Sequence, residues 1–254
     1  MNIIIITQDD PFYLGKNLDF LLKNFPSHSK VVGCVVTQVS PFGKRESFLQ
    51  KAIKTWKLFG TFFFLRYAFR YICAKLYRKY IVYNVLARYG VPVIKLQGSL
   101  NKPESLNLLR SYSPDLLISI AGNEIFKKPL IDLAPKGCLN LHTALLPKYR
   151  GLMPSFWVLK NGEKETGVTV FFVDEGIDSG PIIVQKCVEI GNMSQEQLIQ
   201  HTKHLGMKAI IEAINKIHTG NYELIENDDT QKSYYSFPTK QDVQEFRARG
   251  ARFY

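Results

Sequence analysis

The sequence predicts an α/β fold of the Rossmann-like, doubly wound type, built on a mostly parallel sheet. Three observations carry this prediction. Short segments rich in β-branched residues, apolar on both faces, recur through the first 120 residues. Helical stretches separate them, which is the pattern of βαβ units. The chain is 254 residues long and 46% hydrophobic, enough to bury one large core, and these fractions exclude wholesale disorder and fibrous architectures.

The elements follow in order. Residues 2–7 (NIIIIT), 30–37 (KVVGCVVT), 91–96 (VPVIKL) and 115–121 (DLLISIA) read as strands covered by helices on either side. Between them lie helices at 13–24, within a long segment from 44 to 89, and at 103–111. A second group has strands at 138–142, 167–173 and 181–190, with a helix over 154–161. Ser194 and Gln197 form a capping box that opens a helix running to about His218, with Gly220 as its stop. Thr239 and Asp242 mark a second cap, for a short terminal helix that ends in an aromatic, basic tail. The expected organisation is one domain over 1–190, carrying a helical insertion at 44–89, and a C-terminal helix and tail over 191–254 packed on it.

Charge is unevenly spread. The chain's net charge is +11, yet residues 44–88 hold eleven Lys/Arg against one acid, Glu46, so nearly the whole excess belongs to that segment. Aromatic residues crowd into the same stretch. At helical spacing Arg66, Arg70 and Arg78 share one face, while Phe62, Leu65, Phe69 and Ile72 share another. Such a segment suits an anionic membrane surface, nucleic acid, a second copy of the chain, or packing on the sheet, and aromatic–aliphatic alternation at this spacing more often means packing. The uncharged run at 58–65 is far short of the roughly 20 residues of a spanning helix. MNIIIITQDD lacks the basic start of a signal peptide, so the expected location is cytoplasmic, with peripheral membrane contact through 44–89 as a further expectation. Cys34, Cys73, Cys138 and Cys187 are widely spaced with no CxxC pair, so reduced thiols are expected and no metal.

No GxGxxG, GK[ST] or GxSxG string is present, which disfavours classical dinucleotide, nucleoside triphosphate and nucleophile-elbow sites. The string NLHTALLPKYRG places Asn140 and His142 two residues apart on a strand, hence on one face. Gly167-Val168-Thr169 follows, and then Gly176-Ile177-Asp178-Ser179-Gly180-Pro181-Ile182, which puts Asp178 in a tight turn. An amide donor, an imidazole and a carboxylate suit acyl transfer: the first two can stabilise an oxyanion, and the third can orient the ring and accept a proton. Taken singly, a histidine near a strand end is more often structural, and an Asp in such a turn is usually turn chemistry.

These three strings, in this order and separation, resemble the folate-dependent formyltransferases, the family of glycinamide ribonucleotide, methionyl-tRNA and amino-sugar N-formyltransferases. The resemblance covers about residues 114–190. It implies a Rossmann-like formyltransferase catalytic domain that moves a formyl group from 10-formyltetrahydrofolate, as cosubstrate, to a primary amine. It implies Asn140, His142 and Asp178 as catalytic residues, with Asn140 and protonated His142 holding the oxyanion and Asp178 keeping the ring charged and helping to collect the amine's proton. It also implies that Gly122, Asn123, Ile125 and Phe126, together with Asp174, Glu175, Gly176 and Ile177, hold the pterin. Two departures stand out: Phe171 replaces a histidine common in relatives, and Thr143-Ala144 follow His142 where relatives often carry a small residue and Ser.

The acceptor is narrowed by the same resemblance. DDPFYLGKN after the first strand supplies acids where a glycinamide ribonucleotide phosphate would sit. Too few residues follow Ile190 for the extra barrel of methionyl-tRNA enzymes. Tyr149, Arg150, Gly151, Pro154, Trp157 and the SYYSFP stretch look more like amino-sugar enzymes, so a nucleotide-linked amino sugar of surface polysaccharide synthesis is the expected substrate. A methionyl-tRNA-type enzyme, or a non-catalytic RNA- or membrane-binding protein that kept the fold, are the alternatives, and a homodimer is a candidate assembly.

Overall fold

The computed structural model describes residues 1–37 and 47–254. Lys44, Arg45 and Glu46 of the basic segment lie outside the described residues. The strands β1 (Asn2–Gln8), β2 (Lys30–Thr37), β3 (Leu116–Ile120), β4 (Cys138–His142), β6 (Glu165–Phe172) and β7 (Ile182–Glu189) form one sheet in the order β2-β1-β3-β4-β6-β7. The first four run parallel, and β6 and β7 complete the sheet antiparallel. The two-residue β5 (Arg150–Gly151) pairs instead with β8 (Tyr234–Tyr235).

The four isoleucines of β1 show why the sheet is covered twice. Side chains alternate along a strand. Ile3 and Ile5 therefore join one core with α1 (Leu14–Lys23), α4 (Val82–Arg88) and α8 (Gln195–Thr219), while Ile4 and Ile6 join the other with α5 (Pro103–Ser111) and α6 (Lys128–Ile131). A third cluster forms beyond the sheet from α7 (Pro154–Asn161), α9 (Lys240–Ala248) and the tail, where Phe156, Phe246 and Phe253 stack.

Both expected capping boxes are present, Ser194 with Gln197 and Thr239 with Asp242, and Gly220 ends α8 at φ 69°. The tail also closes α8's open N-terminus: Gln195 and Glu196 donate their backbone N–H groups to the carbonyls of Arg252 and Phe253.

Two expectations are corrected. The 91–96 stretch is not a strand: Cys34 and Val93 share a single bridge, because Pro92 has no N–H with which to extend the ladder. Arg66, Arg70 and Arg78 do not share one helix face, and the Phe-rich face at 62–72, for which the sequence leaves packing, a partner and a membrane surface all open, does not pack within this chain. In the hairpin of α2 (Phe48–Phe59) and α3 (Thr61–Leu76), Phe62, Leu65, Phe69 and Ile72 point outward, whereas Phe59 and Phe63 stack on each other inward and meet Phe253 edge-on. Arg66 and Arg70 both pair with Glu196 on the inner side, and Arg78 falls in a 3-10 turn after α3 has ended. By contrast Val82, Val85 and Leu86 of α4 are wholly buried against the sheet.

Candidate active site

The strand order reverses between β1 and β3, and at such a switch point the loops leaving the carboxyl ends of parallel strands diverge and leave a crevice. A cavity of about 350 Å³ lies there. It is lined by Gln8 from β1, Ser119–Gly122 at the end of β3, and Asn140, His142 and Thr143 at the end of β4. Gln8 donates to the Ala121 carbonyl and ties two of these strand ends together.

Strand alternation brings Asn140 and His142 to the cavity together, as expected, while Leu139 and Leu141 join the core on the α8 side, with Leu141 also reaching the cavity wall. His142 is buried between two acceptors. Its Nε2 donates to the Tyr149 carbonyl at 2.7 Å, and its Nδ1 lies 3.5 Å from Oδ2 of Asp178. The Tyr149 carbonyl can only accept, so Nε2 carries a proton, and Nδ1 is the ring nitrogen that faces the carboxylate. The same Oδ2 accepts the Gly151 N–H at 2.8 Å, which fixes the carboxylate beside the ring.

The turn bearing Asp178 is held from outside the motif. Asn227 donates from Nδ2 to the carbonyls of Asp178 and Gly180, both at 2.9 Å. Buried Arg150 in turn donates to Asn227 Oδ1 at 2.9 Å and to Asp229 at 2.7 Å. Thr169, of the GVT string, anchors the loop after His142 by donating to the Ala144 carbonyl and accepting from the Leu146 N–H. Asn227 lies far from the strings in sequence and has no motif of its own, so no local signal could have found it. Arg150 was legible as part of YRG, but its role was not.

Backbone strain gathers at this cavity. Among the described non-glycine residues with positive φ, Ala121, Met153 and Asp178 line it, and Tyr149 supplies the carbonyl that holds His142. Such conformations cost about 1–2 kcal/mol each and persist where surrounding contacts impose them. Gly180 is required by close approach: a Cβ there would sit 1.8 Å from the Phe172 carbonyl oxygen. Gly180→Ala is therefore expected to open the turn and part Asp178 from His142. Turnover should fall at least a hundredfold, with a stability loss of about 1–3 kcal/mol read from the urea midpoint.

Of the residues expected to hold a pterin, Gly122, Ile125, Phe126, Asp174, Gly176 and Ile177 line the cavity, whereas Asn123 and Glu175 do not. Asp174 shapes its turn by accepting from the Gly176 N–H and the Ser179 hydroxyl. Phe171 sits opposite Asn140 on β6 and forms an apolar wall. Lys203 and Met207 of α8 also line the cavity, and the sequence reading missed both. Burial lowers the Lys203 ammonium, partly offset by the charge of Asp10. Burial pushes the thiols of Cys34 and Cys138 up, which leaves them inert. Among the described residues no group of three or more His, Cys, Asp or Glu could hold a metal ion.

A second cavity, of about 300 Å³, adjoins the first and shares Met153 with it. Its walls include Phe12, Tyr13, Phe63, Phe253 and the paired Arg66 and Arg70.

The chain is similar to known proteins in sequence and in fold. A family model described as Formyl transferase matches residues 68–214. The methionyl-tRNA formyltransferase of Kosmotoga olearia is 41% identical over 163 residues, covering 64% of this chain and 52% of that protein. That of Thermotoga maritima is 38% identical over 160 residues, covering 63% and 51%. The chain thus spans about half the length of these curated relatives. Among solved structures, glycinamide ribonucleotide transformylase 1 from Symbiobacterium toebii superposes with a TM-score of 0.61 at 20% identity, over 89% of this chain and 94% of that one. The N-formyltransferase from Helicobacter canadensis, in complex with folinic acid and dTDP-3-aminofucose, superposes with a TM-score of 0.59 at 19% identity, over 97% and 80%. These structures share the fold, and the family match spans more than half of the sequence, including Asn140, His142 and Asp178. The chain belongs to the formyl transferase family.

Proposed function

We propose that this chain transfers a formyl group from 10-formyltetrahydrofolate to a primary amine, with a nucleotide-linked amino sugar as acceptor. The observation that carries the reading is the meeting of Asn140, His142 and Asp178 on one cavity at the sheet's switch point, beside the 122–126 and 174–177 loops. Apolar Ile125, Phe126 and Ile177 suit a flat heteroaromatic ring, and the backbone of these loops can serve its polar edge.

In this reading the unprotonated amine attacks the formyl carbon, and a new C–N bond forms as the carbonyl becomes an oxyanion. The Asn140 amide donates to that oxygen. His142 keeps Nδ1 with Asp178, while its Nε2–H turns from the Tyr149 carbonyl toward the oxyanion. Collapse breaks the bond between the formyl carbon and N10 of the folate. The amine's surplus proton passes by water to the Asp178 carboxylate and on to N10, which leaves tetrahydrofolate and an N-formyl amide. Desolvated, preorganised donors of this kind are worth more here than in water, and the burial of His142 meets that requirement.

The adjoining cavity supports the acceptor assignment. Phe12, Tyr13, Phe63 and Phe253 offer faces on which a base can stack, and Arg66 and Arg70 offer guanidiniums for a diphosphate. The Helicobacter canadensis structure, which carries a dTDP-linked amino sugar, points the same way. Methionyl-tRNA is the second reading, favoured by the 41% and 38% identities to enzymes of that name. The test is tetrahydrofolate release, followed by absorbance, with a panel of dTDP- and UDP-linked amino sugars and with charged initiator tRNA. A saturable signal with at least one amino sugar is expected. Turnover with tRNA alone would move the assignment to the second reading, and no turnover with any amine would remove both.

A further inference from the structure

The helical hairpin of α2 and α3 has two unlike sides. Its inner side supplies Phe59, Phe63, Arg66, Tyr67 and Arg70 to the second cavity. Its outer side carries Phe62, Leu65, Phe69, Ile72 and Leu76, spaced three and four residues apart along one edge of α3 and each between 57% and 76% exposed. Leu49, Ile53 and Trp56 repeat the pattern on α2 and are also exposed. Singly exposed apolar residues are ordinary, but a row of this length on consecutive helices marks an interaction surface.

The charge of the hairpin identifies what covers it. Residues 47–88 contain nine Lys/Arg and no acid. Arg66 and Arg70 are turned inward to Glu196, and Arg88 is held by Asp19. Lys57, Lys75, Arg78 and Lys79 are exposed and make no ion pair among the described residues. A second copy docked through the same face would bring like charge against like. Nucleic acid has bases to stack on Phe62, Phe69 and Trp56, but it offers nothing apolar to cover Leu49, Ile53, Leu65, Ile72 and Leu76. A bilayer rich in anionic phospholipid matches both properties, since its headgroups attract the cations while its acyl boundary takes up the apolar row and Trp56. No described helix is long and apolar enough to cross a membrane, so the contact is one of lying on the surface.

We infer that the outer face of the α2–α3 hairpin docks this protein on an anionic lipid surface. The site lies on the side of the hairpin opposite the second cavity and does not depend on which amine is formylated.

Cosedimentation of the full chain with vesicles tests this. The wild type should pellet with phosphatidylcholine–phosphatidylglycerol vesicles and stay in solution with pure phosphatidylcholine, and 0.5 M salt should weaken binding severalfold. Combined Leu65→Glu, Phe69→Glu and Ile72→Glu should weaken partitioning at least tenfold with an unchanged melting temperature, because all three side chains are exposed and none lines either of the two cavities described. Should that variant misfold, Lys75→Ala, Arg78→Ala and Lys79→Ala together should still weaken binding to the anionic vesicles severalfold. Wild type that remains in solution with anionic vesicles, or variants that bind as it does, would overturn the proposal. A dimer in light scattering that the glutamate variant dissolves, without vesicle binding, would assign the face to a second copy.

Discussion

Turnover by His142→Ala is expected to fall about a thousandfold, the upper end for one oxyanion donor, while folate binding changes little. In the proposed mechanism the lost groups act on the transition state. In the ground state Nε2 is engaged by the Tyr149 carbonyl and Nδ1 faces Asp178, so neither nitrogen need contribute to folate affinity. Asn140→Ala removes the other donor and should cost about a hundredfold in kcat, close to 3 kcal/mol. Asp178→Asn keeps an acceptor for the Gly151 N–H but removes the negative charge beside the imidazole, and should fall in the same range. Some loss of stability will accompany His142→Ala, since a buried carbonyl loses its partner at a cost of about 1–3 kcal/mol. Thermal melting followed in parallel separates this from catalysis: an unfolded protein loses folate binding and kcat together, whereas loss of transition-state stabilisation lowers kcat alone.

The second large effect is expected at Phe246. Its ring is wholly buried and stacks on Phe156 at 4.9 Å and on Phe253 at 4.5 Å between centroids. Phe246→Ala should destabilise the fold by about 3–5 kcal/mol, from lost transfer energy plus the cavity left behind. In a chain of this size that lowers the melting temperature by about 10 °C. Leu65→Ala on α3, where the side chain is exposed, should stay within about 0.5 kcal/mol of the parent. The contrast matters because both residues sit at regular helical spacing, and only the fold distinguishes them. Phe246→Ala should also raise the acceptor's KM, because the tail it anchors places Phe253 and Tyr254 in the second cavity.

That contrast shows where sequence reading succeeds and where it fails here. Strand β4 and helices α5 and α7 lie at the residues expected, because their signals are local: β-branched or apolar alternation, a proline at the first helical turn, a glycine stop. Asn140 and His142 face one cavity for the same reason, a two-residue period. Asp178 could be singled out by its string, but its distance from His142 depends on β6 and β7 folding back antiparallel. Asn227 and the Tyr149 carbonyl were not legible, since their partners come from distant loops and one of the two groups is backbone. On α3 the regular apolar row leaves packing, a partner and a membrane surface all open, and the body of the protein engages the neighbouring face instead, through Phe63, Arg66 and Arg70. Periodicity reveals that a helix has faces, and it does not reveal which one finds a partner.

A single-turnover experiment with formyl-labelled 10-formyltetrahydrofolate and a nucleotide-linked amino sugar bears most directly on the chemistry assigned to Asn140, His142 and Asp178. The wild type should place one equivalent of label in an amide for each tetrahydrofolate formed, and Asn140→Ala and His142→Ala should each nearly abolish that transfer while still binding the folate. Release of the label as formate with every amine tried, or transfer by the two variants at the wild-type rate, would contradict the assignment.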